Sequence, residues 1–248
     1  MPARPDPPSR ALAAEAIGTF ALCFVGILAI TAGALAGAPG AVSLTTVAFA
    51  HGLTIAVMVA ALGHHSGAHF NPAVTFGFVA TGRMSPARGA LYWAAQLGGA
   101  LLAAGLVCLL FGRDPVGGGT PALAPTVDAW RGVALEAVAT FFLVLVVFGT
   151  AVDERAPRYV FPLAIGLTVA LDIMAIGLLT GAAMNPARAF GPALVSGAWA
   201  DQWIYWVGPL LGGGVAAVLQ SAFFLVPAPS AAVEEHGGPA PSEQRGNS

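Results

Sequence analysis

Gly67-Ala68-His69-Phe70-Asn71-Pro72-Ala73 recurs, about 114 residues later, as Gly181-Ala182-Ala183-Met184-Asn185-Pro186-Ala187. In both copies a glycine-containing loop leads into Asn-Pro-Ala and then into a short apolar segment, about 71–81 and 185–196. Asn is a preferred N-cap residue, and Pro is preferred at the first helical position. The two copies therefore predict two short helices, neither of which reaches the roughly 20 residues that a bilayer span needs.

The rest of the chain has the composition of a polytopic membrane protein. Of its 248 residues 57% are hydrophobic and only 9% are charged, against about 25% charged in soluble domains. This composition excludes a disordered chain, a coiled coil and an ordinary soluble enzyme. The net charge of −2 leaves no basic face for nucleic acid. Cys23 and Cys108 lie in apolar runs, so we expect neither a disulfide framework nor a metal site.

Six segments are long and apolar enough to cross a bilayer. We expect one membrane domain over 11–226, with one repeat at about 11–111 and a second at about 131–226. A cytoplasmic tail is expected over 1–10 and a disordered cytoplasmic tail over 227–248. The first segment is too long for the apolar core of a signal peptide and is expected to be retained. The predicted spans are 11–36, 43–63, 87–111, 131–152, 159–180 and 202–226.

The arginines predict the orientation of these spans. Arg113 and Arg131 are the only arginines of loops or tails on one side, and the others fall on the side of both termini. Arg188 lies within the second short helix and is not counted. The positive-inside rule therefore places both termini in the cytoplasm, and the cell membrane (inner or plasma) is the expected location.

The two halves of the chain match in order along their length. Besides the Asn-Pro-Ala segments, each half has a Glu-Ala-x-x-Thr-Phe, a Gly-Leu-Thr-x-Ala and a Tyr-Trp motif, which begin at Glu15 and Glu136, Gly52 and Gly166, and Tyr92 and Tyr205. Each half holds three spans, and an odd number inverts the second half in the membrane. The short helices then meet N-terminus to N-terminus, where irregular backbone is tolerable only if it is buried or lines a water-filled cavity.

These features resemble the major intrinsic protein family, the aquaporins, over about residues 10–226. The resemblance rests on both Asn-Pro-Ala boxes, Arg188 after the second, Ser66-Gly67-Ala68-His69 before the first, and Trp206-Val207-Gly208-Pro209 near the end. It implies an all-α membrane protein with an aquaporin-like inverted repeat of six transmembrane helices plus two half-membrane re-entrant helices. It also implies a homotetramer in the lipid bilayer, with no cofactor and no catalysis.

The resemblance further implies a passive pore for water and small neutral solutes that excludes protons and ions. Its filter is similar to that of the plant tonoplast intrinsic type, which also passes ammonia or urea. In the internal repeat His51 corresponds to Ile165 and not to Ile173. The repeat therefore does not support the filter assignment, which rests on the resemblance. The implied residues are Asn71, Pro72, Ala73, Asn185, Pro186 and Ala187 at the pore centre, His51, Ile173, Ala182 and Arg188 in the filter, and Gly67, Ala68, His69, Gly181 and Ala183 as pore-lining carbonyls.

Several polar residues in apolar surroundings have two interpretations. Glu15 and Glu136 either hold loop N–H groups behind the short helices or relay protons. The cluster of His64, His65 and His69 either supports the loop or binds a metal ion. Asp172 is expected to pair with a polar group of a neighbouring helix or of loop 112–128, and the alternative is that it faces the outer vestibule.

Three other functions fit parts of this pattern. A glycerol or small-polyol facilitator has the same fold, but glycerol facilitators usually have Asp where Ala189 follows Arg188. A secondary transporter can also be built from inverted repeats with broken helices. A closed, structural member of the fold would conduct nothing.

Overall fold

The computed structural model describes residues 8–225, which form helices and loops and contain no β-strand. The helices are α1 (Pro8–Leu35), α2 (Leu44–Ser66), α3 (Pro72–Ala80), α4 (Pro86–Phe111), α5 (Arg113–Gly118), α6 (Ala129–Val147), α7 (Phe161–Thr180), α8 (Pro186–Ser196) and α9 (Ile204–Leu219). Two π-helical turns, Phe148–Val152 and Gln220–Phe224, extend α6 and α9.

The predicted six spans and two short helices are confirmed within the described residues. Six helices are long and apolar enough to cross a membrane, and α3 and α8 are the short helices after the two Asn-Pro-Ala boxes. The first helix already includes Pro8, where the described residues begin, and so extends beyond the predicted start at residue 11. The short helix α5 was not predicted. The predicted disordered tail at 227–248 lies outside the described residues.

The packing of the helices follows the internal repeat. Helix α1 packs on α2 and α4 in the first half, and α6 packs on α7 and α9 in the second. Each short helix crosses to the other half, since α3 packs on α9 and α8 packs on α4. The two halves are therefore interlocked, and neither half encloses its own short helix.

The central contact between the halves is the crossing of α2 and α7, at Gly52 and Gly166. A Cβ atom on either glycine would collide with the carbonyl oxygen of the other. The neighbours on this face are also small, because Ala170 lies against Gly52 and Ala56 lies against Gly166. Small residues let membrane helices approach closely enough for backbone contact, so this crossing sets the distance between the halves.

Gly52→Ala tests this crossing. The added methyl group meets backbone, which cannot rotate away, so the variant should lose about 1–3 kcal/mol of unfolding free energy, as for overpacked cores. Thermal unfolding in detergent, followed by tryptophan fluorescence, measures the loss. Gly105→Ala is the matched control, since a Cβ atom at Gly105 meets open space and should be neutral or stabilising. Equal stability of the two variants would contradict the close crossing.

Candidate functional site

Each short helix is capped by the asparagine of its Asn-Pro-Ala box. Asn71 has extended backbone, and its Oδ1 accepts a hydrogen bond from the backbone N–H of Ala73 at 2.8 Å. Asn185 does the same with the N–H groups of Ala187 and Arg188, at 3.0 and 3.2 Å. The cap acceptor is the amide oxygen in both cases, so the amide nitrogen is left as a donor on the other side.

The amide nitrogens join the two short helices across the centre of the molecule. Asn71 Nδ2 donates to the carbonyl oxygen of Met184, and Asn185 Nδ2 donates to that of Phe70, both at 2.8 Å. Each cap therefore binds the loop that precedes the opposite short helix. A side-chain NH₂ group has two N–H bonds, so one N–H of each amide is used here and the second is left over.

The loops before the caps have a repeated strained backbone. Ala68 and Phe70 in the first loop, and Ala182 and Met184 in the second, have φ between 44° and 51°. Non-glycine residues in this left-handed region cost of order 1–3 kcal/mol each and persist only where the surroundings impose them. The conformation therefore requires strong, specific contacts around both loops.

Glu15 supplies these contacts for the first loop. Its side chain is fully buried, and it accepts backbone N–H bonds from His69 and Phe70 at 2.9 and 2.6 Å. The Ser66 hydroxyl and the Gln96 amide complete the set, at 2.7 and 2.8 Å. Because the carboxylate holds the loop N–H groups, they are withdrawn from the space on the other side of the loop.

Glu136 holds the second loop in the same way. It accepts the N–H groups of Ala183 and Met184, at 2.9 and 2.7 Å, and the Thr180 hydroxyl at 2.7 Å. The Tyr205 hydroxyl donates to the Thr180 carbonyl, as Tyr92 does to the Ser66 carbonyl. These contacts support the loop-holding interpretation of both carboxylates. The sequence analysis gave Ser66 no role beyond its motif and did not name Thr180, although hydroxyl residues before both loop glycines were a usable signal.

A cavity of about 600 Å³ opens from the two asparagines toward the arginine-rich loops. The first loop lines it with Gly67, Ala68 and His69, and the second with Ala183 and Met184. Gly181 does not line it and packs against Pro121 instead. The remaining wall is largely apolar and comes from Leu22, Ile55, Val59, Leu143, Val147, Ile165 and Val169.

Three arginines line the cavity in addition to the two asparagines. They are Arg83, Arg88 and Arg158, and the described lining residues include neither Asp nor Glu. In the neighbouring loop Asp153 is bound by Arg155, whose hydrogen bonds lower the pKa of that carboxyl to about 2. The acid therefore stays ionised but is already paired, so the arginines of the cavity keep their positive field.

Of the four predicted filter residues, the structure brings His51 and Arg188 to one narrow space beside α1. This space is too small for a water molecule. Arg188 is buried and donates to the carbonyl oxygen of Gly119 at 3.3 Å. Ile173 and Ala182 do not line this space and belong to the adjacent apolar cluster.

His51 is aimed at α1. Its Nδ1 lies 2.8 Å from the carbonyl oxygen of Val47, and a carbonyl can only accept, so Nδ1 carries a proton and Nε2 of a neutral ring is an acceptor. Nε2 is buried without a partner among the described residues and faces Gly26, where a Cβ atom would collide with it. His51 is thus buried, but its second nitrogen is not satisfied.

The remaining polar residues differ in their surroundings. His69 contacts the Thr75 hydroxyl at 3.0 Å and stacks on Phe78, and no group of three metal-ligating side chains occurs within residues 8–225. The pairing expected for Asp172 is wrong, since among the described residues its buried Oδ2 has no hydrogen-bond partner. The aliphatic neighbours on its own helix, such as Val169 and Ile173, offer it no donor.

Glu136→Gln tests the loop-holding role of the carboxylates. Whichever oxygen becomes NH₂ then faces a donor, so the variant should lose about 1–3 kcal/mol of stability and much of any flux through the pore. Glu15→Gln should behave alike. Glu154→Gln, in an exposed loop, is the control and should match the wild type. Thermal unfolding in detergent measures all three variants, and full stability of Glu136→Gln would refute the role.

Comparisons with known proteins agree with this arrangement. Residues 4–220 match the model of the major intrinsic protein family. The chain is 50% identical to aquaporin TIP4-4 of Zea mays over 222 residues, which is 87% of each chain. It is 46% identical to the probable aquaporin TIP4-2 of Oryza sativa subsp. japonica over 243 residues, which is 94% of this chain and 91% of the relative.

Among solved structures, the chain is similar in fold to the aquaglyceroporin from Plasmodium falciparum. The TM-score is 0.78 at 22% identity, over 88% of this chain and 97% of that one. At this identity the likeness shows the fold alone. Taken with the inverted repeat and the joined asparagine caps, the matches show that this integral, multi-pass membrane protein belongs to the major intrinsic protein family, the family of the aquaporin channels.

Proposed function

We propose that the chain forms a passive pore for water, ammonia and urea that excludes protons and ions. The observation that carries this proposal is the reciprocal pair of bonds from Asn71 to Met184 and from Asn185 to Phe70. These bonds join the N-termini of two opposed short helices at the inner end of a cavity lined by backbone loops. Such an arrangement supports transport of small molecules through the middle of the fold.

Proton exclusion follows from the chemistry of the two caps. The left-over N–H bonds of Asn71 and Asn185 can both donate to one central water, which then has no free lone pair for its neighbours in the file. Each helix N-terminus also carries about +0.5 elementary charge. A proton can therefore neither hop through the central water nor rest there favourably, which is how half-helix dipoles act in this class of pore.

The residues at the predicted filter favour a wider solute range than water alone. Ile173 gives the fifth-helix wall an apolar side chain, and Ala182 takes little space. Arg188 offers N–H donors, and Nε2 of His51, which faces Gly26 of α1, is an acceptor without a partner among the described residues. We infer that these two side chains border an aperture that admits urea and ammonia once they move apart, since the space between them is too small for a water molecule in this conformation. The glycerol facilitator is the alternative, which Ala189 next to Arg188 disfavours.

Stopped-flow light scattering on proteoliposomes tests the proposal. The same vesicles receive gradients of an impermeant osmolyte, urea and glycerol, and an ammonia gradient is followed by internal pH. The expected result is fast water, urea and ammonia flux with slow glycerol flux. Saturating flux with a steep temperature dependence would favour a transporter, and no flux from folded protein would favour a closed structural member.

We propose the cell membrane, with both termini on the cytoplasmic side, from the positive-inside rule. The cavity end with Arg83, Arg88 and Arg158 then faces the cytoplasm. A homotetramer with one pore per subunit is proposed from the family resemblance.

Asn185→Asp keeps the side-chain oxygen that caps α8 but removes the side-chain N–H donor. The carboxylate still accepts from Ala187 and Arg188 but loses the N–H that binds the Phe70 carbonyl. Its charge of −1 also offsets the summed positive charge of about +1 from the two helix N-termini. We expect measurable proton flux in vesicles loaded with a pH dye, where the wild type shows none. A variant that conducts water and still excludes protons would contradict the proposal.

Ile173→His tests the filter. The ring adds a polar side chain that narrows the aperture, so the ratio of urea to water permeability should fall by about tenfold, or about 1.4 kcal/mol of barrier. Ile173→Val is the control and should keep the wild-type ratio. An unchanged ratio in Ile173→His, at wild-type water permeability, would show that Ile173 does not set the solute range.

A further inference from the structure

Asp172 is an unexplained carboxyl group inside a membrane helix. It is only 8% exposed, its Oδ2 has no hydrogen-bond partner among the described residues, and it makes no ion pair there. Ionisable groups within membrane helices are costly and mark functional sites by default. A buried polar atom without a partner likewise calls for a specific explanation.

Asp172 lies just beyond the lining of the cavity, on the continuation of the α7 stripe that faces it. Ile165 and Val169 of the same helix line the cavity, and Asp172 continues their stripe at spacings of four and then three residues. At 3.6 residues per turn it lies about 40° from their mean direction, while Ile173 lies about 60° from it on the other side. Asp172 is thus at least as close to the pore-facing line as the predicted filter residue.

The protein around Asp172 offers it no donor. Glu136 of the neighbouring helix interacts with it electrostatically, but Glu136 is itself an acceptor already filled by loop N–H groups. Arg188 donates to the Gly119 carbonyl and forms no ion pair with Asp172. The described residues bond neither carboxyl oxygen, and Oδ2 is fully enclosed. Oδ1, which is not in the enclosed set, is therefore the oxygen that can meet the contents of the pore.

We propose that Asp172 is a specificity-determining acceptor in the pore wall beside the filter, and that it favours small solutes rich in N–H donors, namely urea and ammonia. A carboxyl group accepts through its carbonyl oxygen whether it is ionised or protonated. Urea carries more N–H donors than acceptors, whereas Arg188 offers it donors only. A hydrogen bond to Asp172 replaces one that urea donates to water before it enters the pore. This inference rests on the proposed solute range.

Three variants at this position separate the acceptor from the shape of the side chain. Asp172→Asn keeps a carbonyl acceptor in nearly the same shape, whereas Asp172→Leu and the smaller Asp172→Ala remove it. Leu171→Ala is the matched control, since Leu171 is its neighbour in sequence and is 62% exposed on the outside of the protein. Stopped-flow measurements give water, urea and ammonia permeability for each variant in the same proteoliposomes.

Loss of the acceptor should lower the urea-to-water and ammonia-to-water ratios by about fivefold, the size expected for one hydrogen bond between uncharged groups. Water permeability should stay within about twofold, because water in a file also bonds to its neighbours and to the loop carbonyls. Asp172→Asn and Leu171→Ala should keep the wild-type ratios. Water permeability in each preparation also shows that the variant is folded. If Asp172→Leu does not fold, Asp172→Ala still tests the loss of the acceptor.

The outcomes distinguish this inference from the proposed function. If urea and ammonia flux survive in Asp172→Ala, or if Asp172→Asn loses them as Ala does, the inference is wrong while the proposed solute range stands. If the wild type conducts water but neither urea nor ammonia, the proposed solute range and the inference are both wrong.

Discussion

The arrangement of this protein depends on two carboxylates buried in the apolar interior. Glu15 and Glu136 each bind two successive N–H groups of a loop whose residues have left-handed backbone. In a membrane interior each unsatisfied N–H costs several kcal/mol, so the carboxylates offset the strain and fix the loops. Because the loops are fixed, the asparagine caps that follow them can meet at the centre of the fold.

Both halves contain the residues that hold the loops and caps, but other buried polar residues occur in one half only. The caps, the loop-holding carboxylates and the Tyr92 and Tyr205 hydroxyl bonds all occur twice. Gln96, which donates to Glu15, has no equivalent donor at Glu136 among the described contacts. Asp172 likewise belongs to one half only. The symmetric residues therefore build the passage, and we attribute the choice of solute to the asymmetric ones.

Much of the fold was predictable because it follows from local chemistry. An N-cap, a proline at the first helical position and about 20 apolar residues each act within one segment, so the six spans and two short helices were found with small errors at their ends. The inversion followed from an odd number of spans per half. The filter was harder, because its residues come from different helices and only a family resemblance links them. The structure puts His51 and Arg188 beside one narrow space and places Ile173 and Ala182 in the apolar cluster next to it.

The sequence by itself determined the membrane class, the repeat, the half-helices and their asparagine caps, since each depends on composition or on spacing along the chain. Only the tertiary structure decided which groups those caps bind, how closely α2 and α7 cross, and which buried polar atoms are left without partners. These properties depend on contacts between residues more than 100 positions apart, such as Asn185 and Phe70. Whether a buried acceptor such as Asp172 finds a donor depends on every helix packed around it, and no local pattern records that.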